Sequence, residues 1–339
     1  MLRVGVIGCG YWGPNLIRNF IQLSESDVIW VADLDEARLN RMQQLYPTVK
    51  TTQDYREIIS DPDIDIVAVA TPVHTHYQMA YEALSHRKNV MVEKPLAASV
   101  REAKELVDLA ASQNCKLMVG HTFLYTSAVR KIKEIIDSGE LGEIYYINSQ
   151  RLNLGLFQQD INVIWDLGPH DISIILYLLG KEPESVSAIG SSHINPAIED
   201  VAILTMEFAE NLVAFIQCSW LDPDKIRRMT VVGSKKMIVY DDVQPTEKIR
   251  IYDKSVEKPN HYDTFEEFHY SYKYGDIIIP KIDGLEPLRT QLSHFIECIN
   301  QDTTPLSDGA NGLQVVRVLE AAEQSLRTGH NRVALNECD

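Results

Sequence analysis

Three residues in this chain have the types and placement needed to take a proton off an alcohol. Lys94 stands in the run Val90-Met91-Val92-Glu93-Lys94-Pro95, after a short apolar strand pattern and ahead of a helical one. An ammonium there can donate to a hydroxyl and stabilise the alkoxide that forms as hydride leaves. Asp166 and His170 stand four residues apart in Trp165-Asp166-Leu167-Gly168-Pro169-His170-Asp171. Pro169 suits a first helical position with Gly168 before it, which puts His170 in the first turn. The positive end of the helix dipole disfavours an imidazolium there, so His170 is expected to rest neutral and able to accept a proton. Asp166 would orient the ring, although on this reading it precedes the helix cap. The plainer alternatives are a surface lysine held by Glu93 and a first-turn histidine beside a capping aspartate.

Such chemistry needs a hydride acceptor, and the first residues point to one. Gly8-Cys9-Gly10-Tyr11-Trp12-Gly13 is a GxGxxG run that follows a strand pattern and opens a helical one. Gly8 permits the tight turn, Gly10 lets a pyrophosphate approach the backbone, and Gly13 lets helix and strand pack closely. The pyrophosphate would meet the free N–H groups at the helix start. Tyr11 and Trp12 lie in the same loop and are counted as cofactor contacts. Asp33 lies 20 residues past Gly13, where an acid accepts hydrogen bonds from the adenosine ribose and repels a 2′-phosphate. NAD is therefore favoured over NADP, with Arg38 as the feature that speaks for NADP. A glycine-rich turn without ligand and a helix-capping Asp33 are the alternatives. Thr71, Pro72 and His76, at and after the end of a third strand pattern, and Glu93 are expected near nicotinamide and ribose. His74 and His76 form an HxH pair, but no third ligand stands at a recognisable spacing, so no metal is expected.

The elements that must position these residues change character near residue 122. Before it, the strand patterns Leu2–Ile7, Val28–Ala32, Ile64–Ala70, Val90–Val92 and Lys116–Val119 alternate with helical patterns at Asn15–Leu23, Glu36–Leu45, Gln78–Leu84 and Val100–Ala111. That alternation predicts βαβ units and a doubly wound parallel sheet over residues 1–122. From 123 to 339 the chain reads as a helix at Ala128–Ile136 and then an open, largely antiparallel sheet. Its strand patterns are Ile144–Asn148, Ser185–Ile189, Val201–Phe208, Leu212–Ser219, Met229–Val232 and Met237–Tyr240, with a hairpin turn at Ala209-Glu210-Asn211. An apolar helix, Asp171–Leu179, interrupts it. Asp241–Ile282 reads as long loops with short strands, and helices Leu288–Asn300 and Gly312–Thr328 close the chain.

Composition bounds the partners. The 339 residues carry a formal net charge of −16, which argues against a nucleic-acid surface. No stretch approaches the ~20 apolar residues of a membrane span, and no leader pattern precedes the first strand, so a cytoplasmic protein is the expectation. Five scattered cysteines, Cys9, Cys115, Cys218, Cys298 and Cys338, read as buried, reduced thiols.

With these residues in place, the chain resembles the Gfo/Idh/MocA family, named for glucose-fructose oxidoreductase, inositol dehydrogenase and rhizopine-catabolism proteins. The likeness covers nearly the whole chain. It rests on GCGYWG, Ala70-Thr71-Pro72, Glu93-Lys94-Pro95, the Asp-x-x-x-His pair, Glu199-Asp200, Ser219-Trp220, Gly233-Ser234 and the closing helices. The resemblance implies an α/β protein: an N-terminal Rossmann domain, plus a C-terminal α/β domain whose large, mostly antiparallel open sheet makes dimer or tetramer contacts. It implies NAD as cofactor and Lys94, Asp166 and His170 as the catalytic set, with the roles of Lys94 and His170 open to exchange. GYWGPNLIRNF and WDLGPHDI most resemble a branch that oxidises C3 of UDP-N-acetylglucosamine, ahead of transamination in cell-surface glycan or lipid A synthesis. The alternatives are oxidation of the corresponding uronic acid, oxidation of a free inositol or sugar, and a dinucleotide sensor without chemistry. A nucleotide-sugar diphosphate needs cations, for which Arg151, Lys225, Arg227 and Arg228 are the candidates. Tyr125 and Asn153 are further expected pocket residues.

Overall fold

The computed structural model describes residues 1–257 and 270–335, and the chain divides into two compact units. Among the described residues, the first contains Met1–Thr126 and Leu285–Glu320; the second contains Ser127–Gly284 and the residues from Ala321 to Leu335. The linear division expected after residue 122 therefore does not hold for the closing helices, most of which belong with the first unit.

The first unit is built from β1 (Leu2–Ile7), α1 (Gly13–Gln22), β2 (Ser26–Ala32), α2 (Glu36–Leu45), β3 (Lys50–Thr52), α3 (Arg56–Ser60), β4 (Ile66–Val69), α4 (Val73–Ser85), β5 (Asn89–Val92), α5 (Val100–Gln113) and β6 (Leu117–Val119). The strands form one parallel sheet in the order β3-β2-β1-β4-β5-β6, which is the Rossmann order. Ile66, Val67, Ala68, Val69, Val90, Met91 and Val92 are fully buried, as strands covered by helices on both faces must be. β3 and α3 escape the sequence reading because one is a three-residue polar edge strand and the other little more than a turn. The strand order reverses between β1 and β4, so ligands are received at the carboxyl ends of these strands.

The second unit contains α6 (Ser127–Asp137), β7 (Ile144–Leu152), α7 (Val163–Leu179), β8 (Ser185–Ser191), β9 (Val201–Glu207), β10 (Val213–Ser219), β11 (Ile226–Gly233), β12 (Met237–Asp241), β13 (Ile249–Glu257) and β14 (Ser271–Ile278). After α8 (Pro287–Gln301) and α9 (Gly309–Arg327), β15 (Val333–Ala334) returns to it. The described strands form one sheet, β14-β13-β12-β11-β7-β10-β9-β8-β15, antiparallel except for the pairing of β10 with β7. One face packs on α7 through Ile147, Ala202, Leu204, Ala214 and Ile216; on the other, Ile189, Ile203 and Phe215 are exposed. Glu210 and Asn211, at φ 61° and 60°, turn β9 into β10 as the sequence predicts. Within Asp241–Ile282, expected as long loops with short strands, the described residues include the nine-residue strand β13 and the eight-residue strand β14. β14 is exposed along its whole length, so it has no core face to impose an alternating pattern. Residues 258–269 of that segment lie outside the described residues. So does Cys338, whereas Cys9, Cys218 and Cys298 are buried free thiols and Cys115 is half-buried.

α7 corrects the expected helix start. It begins at Val163, where the Asn162 side chain accepts hydrogen bonds from the Ile164 and Trp165 N–H groups. Pro169 is therefore inside the helix, and Gly168 before it has no Cβ to clash with the proline ring. Arg151 is also corrected. It is buried, and its Nε and Nη2 donate to the Asp171 carboxylate at 2.5 and 3.3 Å, while Ser149 Oγ donates to the same group at 2.8 Å. Its guanidinium ties α7 to the sheet instead of awaiting a phosphate. Asp171→Ala should cost about 3–5 kcal/mol, because it strands a buried charge, while Arg151→Met with Asp171→Leu should recover most of that loss. Urea unfolding of the three proteins checks this.

Candidate active site

The glycine loop separates what the protein needs from what a ligand needs. A Cβ on Gly13 would stand 1.9 Å from the Gly8 carbonyl oxygen, and one on Gly8, at φ 99°, would stand 2.4 Å from that of Ala70. Both glycines are demanded by chain packing. Gly10 is not, since the nearest atom to a Cβ there is Arg38 Nη1 at 3.7 Å. α1 has no side-chain cap and no acid in its first turn, so the positive end of its dipole is available to an anion. These residues fit the pyrophosphate of a dinucleotide. Asp33 is held beside them: its Oδ2 accepts from the Cys9 N–H at 2.6 Å and its Oδ1 from the Asp35 N–H at 2.9 Å. Arg38 lies 3.5 Å from Asp33 and 3.4 Å from Asp35. Burial, helped by the Asp33 charge, pushes the Cys9 thiol up to about 12, which makes it inert. Tyr11 and Trp12 are exposed and meet edge to face. Leu34, next to Asp33, is exposed.

The ends of β4, β5 and β6 carry Thr71 and Pro72, then Glu93 and Lys94, then His121. Lys94 is half-buried. Glu93 is buried, and desolvation pushes its carboxyl up to about 7 against the opposing pull of Lys94. Its carboxylate packs on Gly120, where a Cβ would stand 2.9 Å from Oε2. His121, another residue missed from sequence, is buried with Nδ1 2.8 Å from Asn311 Oδ1. Burial, with a smaller contribution from the Lys94 charge, lowers its pKa to about 4, so it stays neutral near Lys94 at neutral pH. His76 is 1% exposed, with Nδ1 2.8 Å from the Pro95 carbonyl and Nε2 2.8 Å from that of Thr71; burial lowers its pKa. The expected cofactor contact by this ring is thus replaced by a brace behind the two strand ends. Tyr125 is likewise corrected from pocket to core. It is 1% exposed, its hydroxyl lies 3.1 Å from Ser307 Oγ, and it accepts from the Ser307 N–H at 3.3 Å.

In the second unit Asp166 and His170 occupy successive turns of α7, on one face at i, i+4, and both are half-buried. His170 sits beyond the first turn, so the helix dipole does not set its charge. Trp220 Nε1–H donates to Asp166 Oδ2 at 3.0 Å. Asn153 is half-buried after β7, in the same neighbourhood as Gly155 and Trp220. Arg227 pairs across the strands with Arg151, on the α7 side, and lies 3.5 Å from Asp242. Arg228 pairs with Gln150 and is exposed on the open face. Strand alternation therefore prevents Arg227 and Arg228 from serving one ligand. Lys225 is exposed between β10 and β11.

A Rossmann sheet with this loop and a strand-end lysine defines a dinucleotide-dependent oxidoreductase. The oxidoreductase family model with an NAD-binding Rossmann fold matches residues 2–121, and the GFO/IDH/MocA C-terminal domain model matches residues 129–239. The chain belongs to the Gfo/Idh/MocA oxidoreductase family and is an NAD-dependent dehydrogenase. An uncharacterized oxidoreductase of Bacillus subtilis is 25% identical over 96% of this chain and 94% of its own length. The scyllo-inositol 2-dehydrogenase (NAD(+)) of the same organism is 26% identical over 97% of this chain and 95% of its own. Among solved structures, the UDP-N-acetylglucosamine 3-dehydrogenase of Acidithiobacillus ferrooxidans superposes with a TM-score of 0.79 at 22% identity, covering 96% of this chain and 98% of that one. No helix of the described residues is long and apolar enough to cross a membrane.

Two outcomes are expected. Asp33→Ser should shift the NADP-to-NAD preference in kcat/KM by about tenfold or more towards NADP, because it removes the acid that repels a 2′-phosphate and leaves Arg38, now 3.5 Å from Asp33, to attract one; adding Arg38→Ala should remove the gain. Glu93 binds its proton more tightly folded, at about 7, than unfolded, at 4.5. The stability it contributes is whole below the unfolded value and is lost as pH rises through the folded one. Glu93→Gln should therefore flatten the fall of Tm across that window in thermal unfolding.

Proposed function

We propose that this enzyme oxidises the C3 hydroxyl of UDP-N-acetylglucosamine to the 3-keto sugar, ahead of a transamination step in glycan or lipid A synthesis. The observation that carries alcohol oxidation is the Asp166–His170 pair on one half-exposed face of α7, together with Lys94 at the end of β5. Bound NAD supplies the hydride acceptor. Gly8, Gly10 and Gly13 with the start of α1 would hold its pyrophosphate, Asp33 its adenosine ribose, and Thr71, Pro72 and Glu93 its nicotinamide end. Lys94 donates to the substrate oxygen and stabilises the charge that develops there. His170 takes the hydroxyl proton, and Asp166 accepts from the other ring nitrogen and orients it. Arg227 and Asn153 are the remaining candidates for the diphosphate and sugar, Arg151 being committed to Asp171. The chain would work as a homodimer or tetramer, with exposed Ile189, Ile203 and Phe215 on the open sheet covered by a second copy.

The commitment of Arg151 also favours a second reading, a free inositol or other polyol, which needs no diphosphate cation and is the substrate named for the Bacillus subtilis relative. The uronic acid of the same nucleotide sugar is a third candidate. NADH formation at saturating NAD with UDP-N-acetylglucosamine, its C6 uronate, myo-inositol and scyllo-inositol separates them. With the preferred substrate, Lys94→Ala should lower kcat by about 10²–10⁴ while NAD still binds. A near-normal kcat would remove Lys94 from the mechanism.

A further inference from the structure

Trp220 has no part in the chemistry described above, yet its surroundings fix it more closely than core packing requires. It follows β10 and is 1% exposed. Its N–H donates to the Asp200 carbonyl at 2.9 Å, and its carbonyl accepts from the Gly155 N–H at 3.0 Å. The Phe157 ring lies edge-on at 5.6 Å. Gly155 packs so closely that a Cβ there would stand 3.0 Å from the indole Cδ1. Asp200 is itself buried and accepts from the N–H groups of His193 and Ile194, with the His193 ring at 2.7 Å. The indole is thus placed by backbone and ring contacts before its own polar atom is considered.

A buried indole N–H needs an acceptor, and a backbone carbonyl would serve. Here it takes Oδ2 of Asp166 at 3.0 Å, the carboxylate one turn before His170. A carboxylate pinned at one oxygen keeps its other oxygen for a ring N–H on the next turn of the same face. A histidine that gives one N–H to a carboxylate holds its lone pair on the other nitrogen, where a proton is taken up.

We propose that Trp220 is a positioning residue, whose indole N–H sets the rotamer of Asp166 and, through Asp166, the tautomer and orientation of His170. It rests on the assignment of His170 as proton acceptor. Trp220→Phe keeps the ring and removes the donor. With UDP-N-acetylglucosamine or, if that is not turned over, myo-inositol, it should lower kcat by about 10- to 100-fold and leave KM for NAD unchanged. The acid limb of kcat/KM should move to lower pH, in the direction that Asp166→Asn moves it, since both remove the oriented carboxylate that stabilises imidazolium. In an Asp166→Asn background Trp220→Phe should add little, as expected of two residues acting through one bond. A Trp220→Phe enzyme with unchanged kcat and pH profile, or a fully additive double variant, would overturn the proposal. His170→Ala is measured in parallel: if it retains turnover, the assignment of His170 fails, and if it alone is inactive, only the role of Trp220 fails. Should Trp220→Phe not fold, or neither substrate react, the wild-type chain decides by NMR. One of its four indole N–H resonances should titrate between about pH 5 and 9, and Asp166→Asn should abolish that shift; four pH-independent resonances would overturn the proposal.

Discussion

The rotation of α7 about its own axis depends on one buried ion pair. The helix is apolar on almost every side, from Val163 and Ile164 to Ile174, Ile175 and Leu178, so burial of apolar surface alone does not choose which side meets the sheet. Arg151 and Asp171 make that choice. A buried guanidinium without its carboxylate is strongly unfavourable, and Ser149 holds the same carboxylate from the neighbouring position of β7. At about 100° per residue, a helix that turns Asp171 to β7 carries Asp166 and His170 away from it, onto a half-exposed face. The half-exposed position of Asp166 and His170 thus follows from an ion pair elsewhere on the helix.

The first unit uses the same device with backbone groups. Gly13 against the Gly8 carbonyl and Gly8 against that of Ala70 bring the loop down on the sheet, and Asp33 anchors the loop through the Cys9 N–H. The buried His76 ring lies 2.8 Å from the carbonyls of both Thr71 and Pro95 and, as a neutral imidazole, donates to one of them. Reactive positions are held at strand ends by neighbours that are themselves buried, which keeps a half-exposed lysine on a rigid element. Glu93 and His121 complete this setting as buried groups whose charged forms are disfavoured.

Substrate choice depends on weaker determinants. A diphosphate asks for at least one cation that is not already paired in the core, and Arg151 is removed from that role by Asp171. Arg227 keeps a place on the α7 side of the sheet, where it shares Asp242 with Lys248. The proposed set of Lys94, Asp166 and His170 would be indifferent to what the far end of the substrate carries, which is why sugar nucleotides and polyols are chemically adjacent readings.

Most of the fold was legible in the sequence, because each buried strand of the first unit is a short apolar run bounded by turn residues, and most strands of the second alternate against a single core face. The glycine loop, Asp33 and Lys94 were legible for a related reason: their places follow from local order along strand, turn and helix. β14 was hidden by its exposure, and the true start of α7 by a proline that Gly168 makes tolerable. Arg151, Tyr125 and His76 carry the same side chains whether they face a ligand or the core, and nothing local distinguishes the two. What the chain order determined by itself was the kind of chemistry and the elements that carry it. Which arginine is consumed by Asp171, which histidine is a brace, and that the tryptophan after β10 donates to Asp166 were decided only by tertiary structure, because each depends on a partner distant in sequence that folding brings within hydrogen-bond reach.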